Sequence, residues 1–174
     1  MCVAGLDDCY RYQTLNDRTR AASVHRGNVL RCDQKDFPYT RWYRFTGASG
    51  TQMPTKCVPE HRCGTHAPGW LSSSHPTRVG QIVNGKVCFK WSGNCCRWSA
   101  TIQIKMCNGY YIYKLPKTPC CWLRYCGNAG YGKPLVFLNP LFAMFTFRFT
   151  SIARYSYTGY NHIGKNETMS KKEA

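Results

Sequence analysis

Twelve of the 174 residues are Cys, at positions 2, 9, 32, 57, 63, 88, 95, 96, 107, 120, 121 and 126. How those sulfurs are employed decides what the chain can fold into. In a reducing cytosol so many thiols would need metal or catalytic work. Zinc ribbons and fingers bring thiols together in pairs such as C-x2-C, a spacing this sequence lacks. Its Cys are mostly far apart, and two pairs, Cys95-Cys96 and Cys120-Cys121, are adjacent. Neighbouring side chains on an extended chain point to opposite faces, so vicinal cysteines usually seek different partners. The pattern reads as a disulfide framework made in an oxidising, extracellular compartment.

The best metal candidate is Cys57-x3-His61-x-Cys63-x2-His66, with two sulfurs and two imidazoles within ten residues. The same residues read as two half-cystines beside histidines in an exposed loop. Pro59, Gly64, Pro68 and Gly69 punctuate the stretch as loop, which favours half-cystines and no metal. Met1-Cys2-Val3-Ala4-Gly5 runs straight into Leu6-Asp7-Asp8 without a basic region or apolar stretch. No signal peptide is therefore read here, and the expectation is a fragment of a longer secreted chain.

The expected fold is a small, mainly β, disulfide-rich module: short antiparallel strands, long cross-linked loops and little helix. Residues 1–40 read as an irregular polar approach. Arg41–Thr46 is a strand candidate, and residues 47–85 read as a long loop pinned by Cys57 and Cys63. Lys86–Trp91 alternates with Val87, Phe89 and Trp91 on one face, and Thr101–Met106 does so with Ile102, Ile104 and Met106. Asn108-Gly109 supplies residues for a tight hairpin, and Tyr110–Leu115 returns as the partner strand before Pro116. Trp122–Tyr125 completes four or five strands. The expected domain is 1–126, followed by a tail, 127–174. In that tail Leu135–Phe147 is nearly all apolar but too short, and too broken by Asn139-Pro140, to span a bilayer. It suits an extra strand, an interfacial segment or sequence without a folded role, and residues 161–174 read as disordered.

Acids are scarce where the strands lie. Between Arg41 and Cys126 the one carboxylate is Glu60, so paired-carboxylate hydrolysis has no second partner there. Asp7, Asp8, Asp17, Asp33 and Asp36 lie upstream and have to fold back to contribute. No G-x-S-x-G, H-E-x-x-H, Walker or dinucleotide-binding motif occurs. The reading is a non-catalytic protein without a cofactor. The chain's net charge is +16, and residues 41–126 hold twelve Lys and Arg against Glu60. Such a surface attracts polyanions, including acidic glycans, although Arg62, Arg78, Lys86, Lys90, Arg97 and Lys105 are scattered singly. A binding face and a dispersed solubilising coat both fit. Nucleic acid is disfavoured as a partner by the compartment.

Longer motifs bring a resemblance. Leu6-Asp7-Asp8-x-Tyr10, Trp42-Tyr43-Arg44-Phe45, Cys57-Val58-Pro59 and Arg62-Cys63 are followed by Ala67-Pro68-Gly69-Trp70-Leu71 and His75-Pro76. Trp91-Ser92-Gly93-Asn94-Cys95-Cys96 and Gly109-Tyr110-Tyr111-Ile112-Tyr113 complete the set. Over residues 6–126 the chain resembles the cysteine-rich domain family of uromodulin and the pancreatic zymogen-granule membrane glycoprotein. A liver zona-pellucida-type protein, the oncoprotein-induced transcript, shares this domain. The resemblance implies a secreted, β-rich interaction or spacer module in a mosaic glycoprotein, whose partners are other extracellular domains or proteins. It also implies the pairs Cys9–Cys107, Cys32–Cys121, Cys57–Cys95, Cys63–Cys126 and Cys88–Cys96, with Cys2 and Cys120 outside the pattern. Members that capture fimbriated bacteria use an N-linked glycan just after the Trp-Leu pair. Here that place reads Trp70-Leu71-Ser72-Ser73-Ser74, with Ser72 where Asn is needed. The sequon present is Asn166-Glu167-Thr168, in the tail, so glycan-decoy activity is not carried over.

Overall fold

The structure, a computed structural model, describes residues 7–37 and 40–131. The chain divides into two units, Met1–Pro134 and Leu135–Ala174, and every described residue belongs to the first. Cys2, the apolar Leu135–Phe147 stretch and Asn166 lie outside the described residues.

The mainly β class read from the sequence holds. Among the described residues there are seven strands, and the longest helix is the four-residue α1 (Asp33–Asp36). The antiparallel centre comprises β2 (Arg41–Phe45), β6 (Tyr110–Leu115), β5 (Asn94–Cys107) and β4 (Ile82–Trp91). With β1 (Gln13–Leu15), β3 (Ala67–Leu71) and β7 (Leu123–Tyr125) they form one sheet of order β1-β2-β6-β5-β4-β3-β7. The detail departs from four or five short antiparallel strands in three respects. Both outermost pairs, β1 with β2 and β3 with β7, are parallel. β4 and β5 are long, ten and fourteen residues. And residues 47–85 are not all loop, since they contain β3 and the start of β4. Pro68 and Gly69 hid β3 from a pattern reading. Gly69 is there because a Cβ would lie 2.6 Å from the Phe89 ring and 2.9 Å from the Arg124 carbonyl oxygen.

Two turns show how local chemistry sets the hairpins. Ser92 and Gly93, between β4 and β5, both have positive φ (50° and 74°), the pairing that a two-residue hairpin of type I′ requires. At Asn108-Gly109 only the glycine does, with φ 82°. Glu60 Oε1 accepts a hydrogen bond from the Gly93 N–H at 3.0 Å. The carboxylate that stands alone in the strand region thus secures the β4–β5 turn.

Alternation puts Tyr43, Phe45, Val87, Phe89, Ile102, Ile104 and Tyr113 into one buried cluster, as expected for half-buried strands. Phe37, just past α1, enters it between Tyr43 and Tyr125, stacked at ring-centroid distances of 4.4 and 5.7 Å. The N-terminal segment is also held by charge. Arg20 and Asp33, 4% and 0% exposed, form a bidentate pair at 2.7 and 2.8 Å. Asp33 Oδ2 also accepts from the Tyr125 N–H at 2.8 Å. Burial opposes the charge on Arg20, yet the carboxylate beside it raises its pKa above the ordinary value. Nearby, Arg124 donates to Asp17 at 2.7 Å. Burial raises the Asp17 carboxyl, but hydrogen bonds from Arg124 and Thr19 outweigh this and bring it down to about 2. The folded unit continues past Cys126: Gly127 N–H donates to the Arg20 carbonyl at 2.9 Å, and Ala22 N–H donates to the Gly127 carbonyl at 2.8 Å.

A relay of neutral groups crosses the core. The Met53 N–H donates to the Tyr113 hydroxyl at 3.1 Å. The same hydroxyl is hydrogen-bonded to His75 Nε2 at 2.8 Å. Burial lowers the His75 pKa to about 4, which keeps the imidazole neutral.

Removing one member of a buried ion pair strands the other, a loss of about 3–5 kcal/mol. Urea unfolding of Asp33→Ala should show a loss of this size, while exposed Asp36→Asn stays within about 1 kcal/mol. Acidification should act in two stages. His75 and His66, both with lowered pKa values, gain protons more readily unfolded, so stability declines as pH falls from about 6.5 toward 4. The Asp17 contribution is complete above its unfolded value of 3.8 and is lost as pH falls from there toward 2. His75→Gln, whose amide can still hydrogen-bond the Tyr113 hydroxyl but cannot titrate, should flatten the upper stage in urea titrations across pH; an unchanged slope would refute the assignment.

Candidate functional site

The face of the sheet turned away from the main core is polar and cationic. Residues directly opposite in register share a face. The pairs Trp42–Lys114, Lys114–Gln103 and Gln103–Asn84 therefore make one row across β2, β6, β5 and β4. Lys86 and Thr101 pair on the same face two residues along. The other end is covered. Cys9 bonds Cys107, and Cys9, Trp42, Cys107 and Ile112 form a small buried cluster flanked by Tyr12 and Tyr110.

Two hollows flank the Trp42–Lys114 pair, whose ammonium lies 6.0 Å from the indole centroid. The first, of about 340 Å³, is lined by Tyr10, Arg11, Tyr12, Gln13, Arg41 and Trp42. The second, of about 260 Å³, is lined by Thr40, Asn84, Thr101, Ile102, Gln103, Lys114 and Pro116. No carboxylate among the described residues lines either. Arg44 fixes the border of the first hollow: its guanidinium lies 3.7 Å from the Tyr110 centroid and donates to the Tyr12 hydroxyl at 2.9 Å. Tyr110 in turn donates to the Cys9 carbonyl at 2.6 Å.

The twelve cations counted from 41 to 126 overstate this surface. Lys105 is 8% and Arg124 2% exposed. Lys105 is bound by Asp7 and Asp8, Arg124 by Asp17. The upstream acids do fold back, onto structural cations. Arg11, which a count begun at residue 41 leaves out, lies in the first hollow. The one sequence signal for it was Cys9: whatever that sulfur bonds receives Tyr10–Gln13 as a neighbour.

Each sulfur picked out from the sequence has a definite place. Cys9 meets Cys107, Cys32 meets Cys121, Cys57 meets Cys95, Cys63 meets Cys126 and Cys88 meets Cys96. Cys120 is a half-buried thiol. With Cys57 and Cys63 in separate bridges, the CHCH constellation has no thiolate to offer. Its histidines join an aromatic group instead: His66 stacks on Trp91 at 5.6 Å and His61 meets both rings edge-on. Burial, Arg26 and His61 together hold His66 below the ordinary imidazole value. Ser72 donates its hydroxyl to the Lys86 carbonyl at 2.9 Å. Among the described residues no helix is long and apolar enough to cross a membrane.

Residues 43–127 match the family model described as the uromodulin-like D8C domain. The chain is 44% identical over 125 residues to the pancreatic secretory granule membrane major glycoprotein GP2 of Canis lupus familiaris, covering 71% of this chain and 24% of that protein. It is 46% identical over 121 residues to uromodulin of Mus musculus (69% of this chain, 18% of that protein). Against the Homo sapiens GP2 glycoprotein the identity is 41% over 121 residues (69% and 22%). The chain thus spans a quarter or less of the length of these relatives. Residues 43–127 thus carry a uromodulin-like D8C domain.

Proposed function

We propose that the chain is a non-catalytic extracellular interaction or spacer module of a larger secreted or membrane-anchored mosaic glycoprotein. The observation that carries this reading is the employment of its reactive groups. Ten sulfurs sit in five bridges, and Glu60, Asp7, Asp8, Asp17 and Asp33 hold the turn or the cations that fold the chain. Asp17 and Asp36 do share one hollow, but they share it with Arg20, Arg31 and Arg124, and Asp17 is held by Arg124. Disulfides persist outside the reducing cytosol, and the relatives' name, a secretory granule membrane glycoprotein, supports that location. The partners are other extracellular domains or proteins.

The carboxylate-free hollows favour a second reading, a module that binds polyanions such as sulfated glycans through basic side chains.

The full chain expressed through a secretory pathway should yield the five pairs on non-reducing mass mapping. A native form with all thiols titratable, or a Cys57–Cys63 bond, would overturn the first reading. On the chain-entropy account, replacing the Cys9–Cys107 pair by Ser costs about 4–5 kcal/mol and the Cys88–Cys96 pair about 2–3, because the closed segments differ so much in length (sequence separations 98 and 8). Chemical unfolding of the two variants should rank them in that order. The second reading expects elution from a heparin column well above about 0.15 M salt; elution below that removes it.

A further inference from the structure

We infer that the open edge of β5 docks an extended acidic segment of an extracellular partner, which joins the sheet as one more antiparallel strand. The proposal deepens the interaction-module reading and rests on it. β6 pairs with β5 only from Gln103 to Cys107. Residues 94–102 of β5 therefore have β4 on one side and, among the described residues, no strand on the other. Which main-chain groups face the open side follows from the alternation of an antiparallel ladder. The Gly80 N–H donates to the Met106 carbonyl at 2.8 Å and the Met106 N–H to the Gln81 carbonyl at 3.1 Å. Met106 thus turns its main chain toward β4, and the odd-numbered residues of β5 turn theirs away. Lys86 gives the same answer independently. Its N–H and carbonyl are taken by Ser73 and Ser72, so Thr101, opposite it, also points away from β4. Ser99 and Thr101 present two N–H groups and two carbonyls at this edge, and no hydrogen bond among the described residues takes up any of the four.

Three features choose the occupant. The edge is already ordered: Cys57–Cys95 and Cys88–Cys96 pin the start of β5, and Trp98 and Ala100 pack on the core, so little of the protein has to be fixed on binding. The outer face beside the edge is cationic. Arg97 is exposed in alternation with Ser99 and Thr101, Lys86 stands opposite Thr101, and Lys114 stands opposite Gln103. Acids of the region are engaged, Glu60 by the Gly93 N–H and Asp7 and Asp8 by Lys105. On the inner face Trp98 and Ala100 are only half-buried and leave apolar contact for every second residue of an added strand. A segment alternating acidic and apolar residues meets both faces. β4 and β6 both run against β5, and a strand of the same direction continues the sheet where β6 stops. The hollow of about 260 Å³ lined by Thr101, Gln103, Lys114 and Pro116 lies at that stop. In antiparallel pairing the residues exchanging bonds with Ser99 and Thr101 share their face, so these are the acidic ones. A second copy of this chain fits less well: each copy carries a net charge of +16, and edge-to-edge pairing sets two cationic faces side by side.

The probe is a fluorescent peptide of about eight residues, alternating Glu and Val, titrated into the full disulfide-bonded chain near physiological ionic strength and followed by anisotropy. Saturable binding is expected. Methylating the backbone nitrogens of the Glu residues should weaken it at least about tenfold, whereas methylating those of the Val residues, which face away from β5, should change it by about threefold or less. Equal losses would overturn strand addition, and the protein is untouched in that comparison. On the protein, Thr101→Pro removes one outward N–H at an edge position that tolerates proline and should also weaken binding at least about tenfold. Binding as tight as that of the unmodified chain would overturn the site. Arg97→Ser/Lys86→Ser should cost about fivefold or more, and an unchanged affinity would overturn the acidic character of the partner. A concentration-dependent dimer that Thr101→Pro abolishes would give the edge to a second copy instead. No binding by the unmodified chain would remove the docking edge and leave the module reading in place, since that reading is tested by the disulfide map.

Discussion

Among its described residues the N-terminal segment carries one three-residue strand, two short 3-10 turns and a single α-helical turn, and it is covalent attachment that makes it part of the sheet. Cys9–Cys107, Cys32–Cys121 and Cys63–Cys126 join positions 98, 89 and 63 residues apart. Cross-links over such separations remove far more freedom from the unfolded chain than from the folded one. Each also delivers a noncovalent element to its place. Cys9 brings Tyr10 and Tyr12 over the outer face. Cys32 leads into α1, and through it Asp33 and Phe37 reach Arg20, Tyr43 and Tyr125. Cys126 ends a segment whose Tyr125 N–H meets Asp33. The ion pair and the aromatic stack depend on that delivery, since a buried charge without its partner opposes folding.

How much of this was legible follows from the range of each interaction. β2, β6 and the paired parts of β4 and β5 announce themselves by alternation within a few residues, and the structure bears them out. β7 was legible because it follows a hairpin and precedes a cysteine. β3 was not, because its Pro and Gly answer to Phe89 and Arg124, twenty and more residues away, rather than to a local period. The parallel pairings of β1 and β3 leave no local trace either. The Arg20–Asp33 pair was hidden for the same reason: nothing in sequence separates a buried aspartate from an exposed one until its partners are known. The cation count misled in a related way, since Lys105 and Arg124 look like surface charges until the upstream acids fold onto them.

Ser72 illustrates a position whose local chemistry is already satisfied. Its backbone N–H and its hydroxyl both donate to the Lys86 carbonyl, each at 2.9 Å, and the Ser73 hydroxyl accepts from the Lys86 N–H. Side chains thereby extend the β3–β4 pairing beyond Leu71–Val87, where the ladder itself stops. The chain then turns into His75, whose neutral ring is hydrogen-bonded to the Tyr113 hydroxyl. A short polar loop is thus seated on the strand edge at one end and in the core at the other.

The same construction accounts for the contrast between the two sheet faces. The inner face is filled by aromatic and aliphatic side chains in contact. The outer one is closed at two places: where the Cys9–Cys107 bond draws a short segment across it, and at the β3–β7 edge, where Trp70 packs against Ala22, Val58, Cys63 and Cys126. The first covers Trp42 and the hairpin end of β5 and β6, burying Cys107 and Ile112, and the row of Lys114, Gln103 and Asn84 lies beyond it. The exposed row borders a cross-linked edge rather than a loose loop. The backbone positions of the row are held by strands that cannot slide without breaking register on the packed face, so their order is set by folding and by disulfide closure.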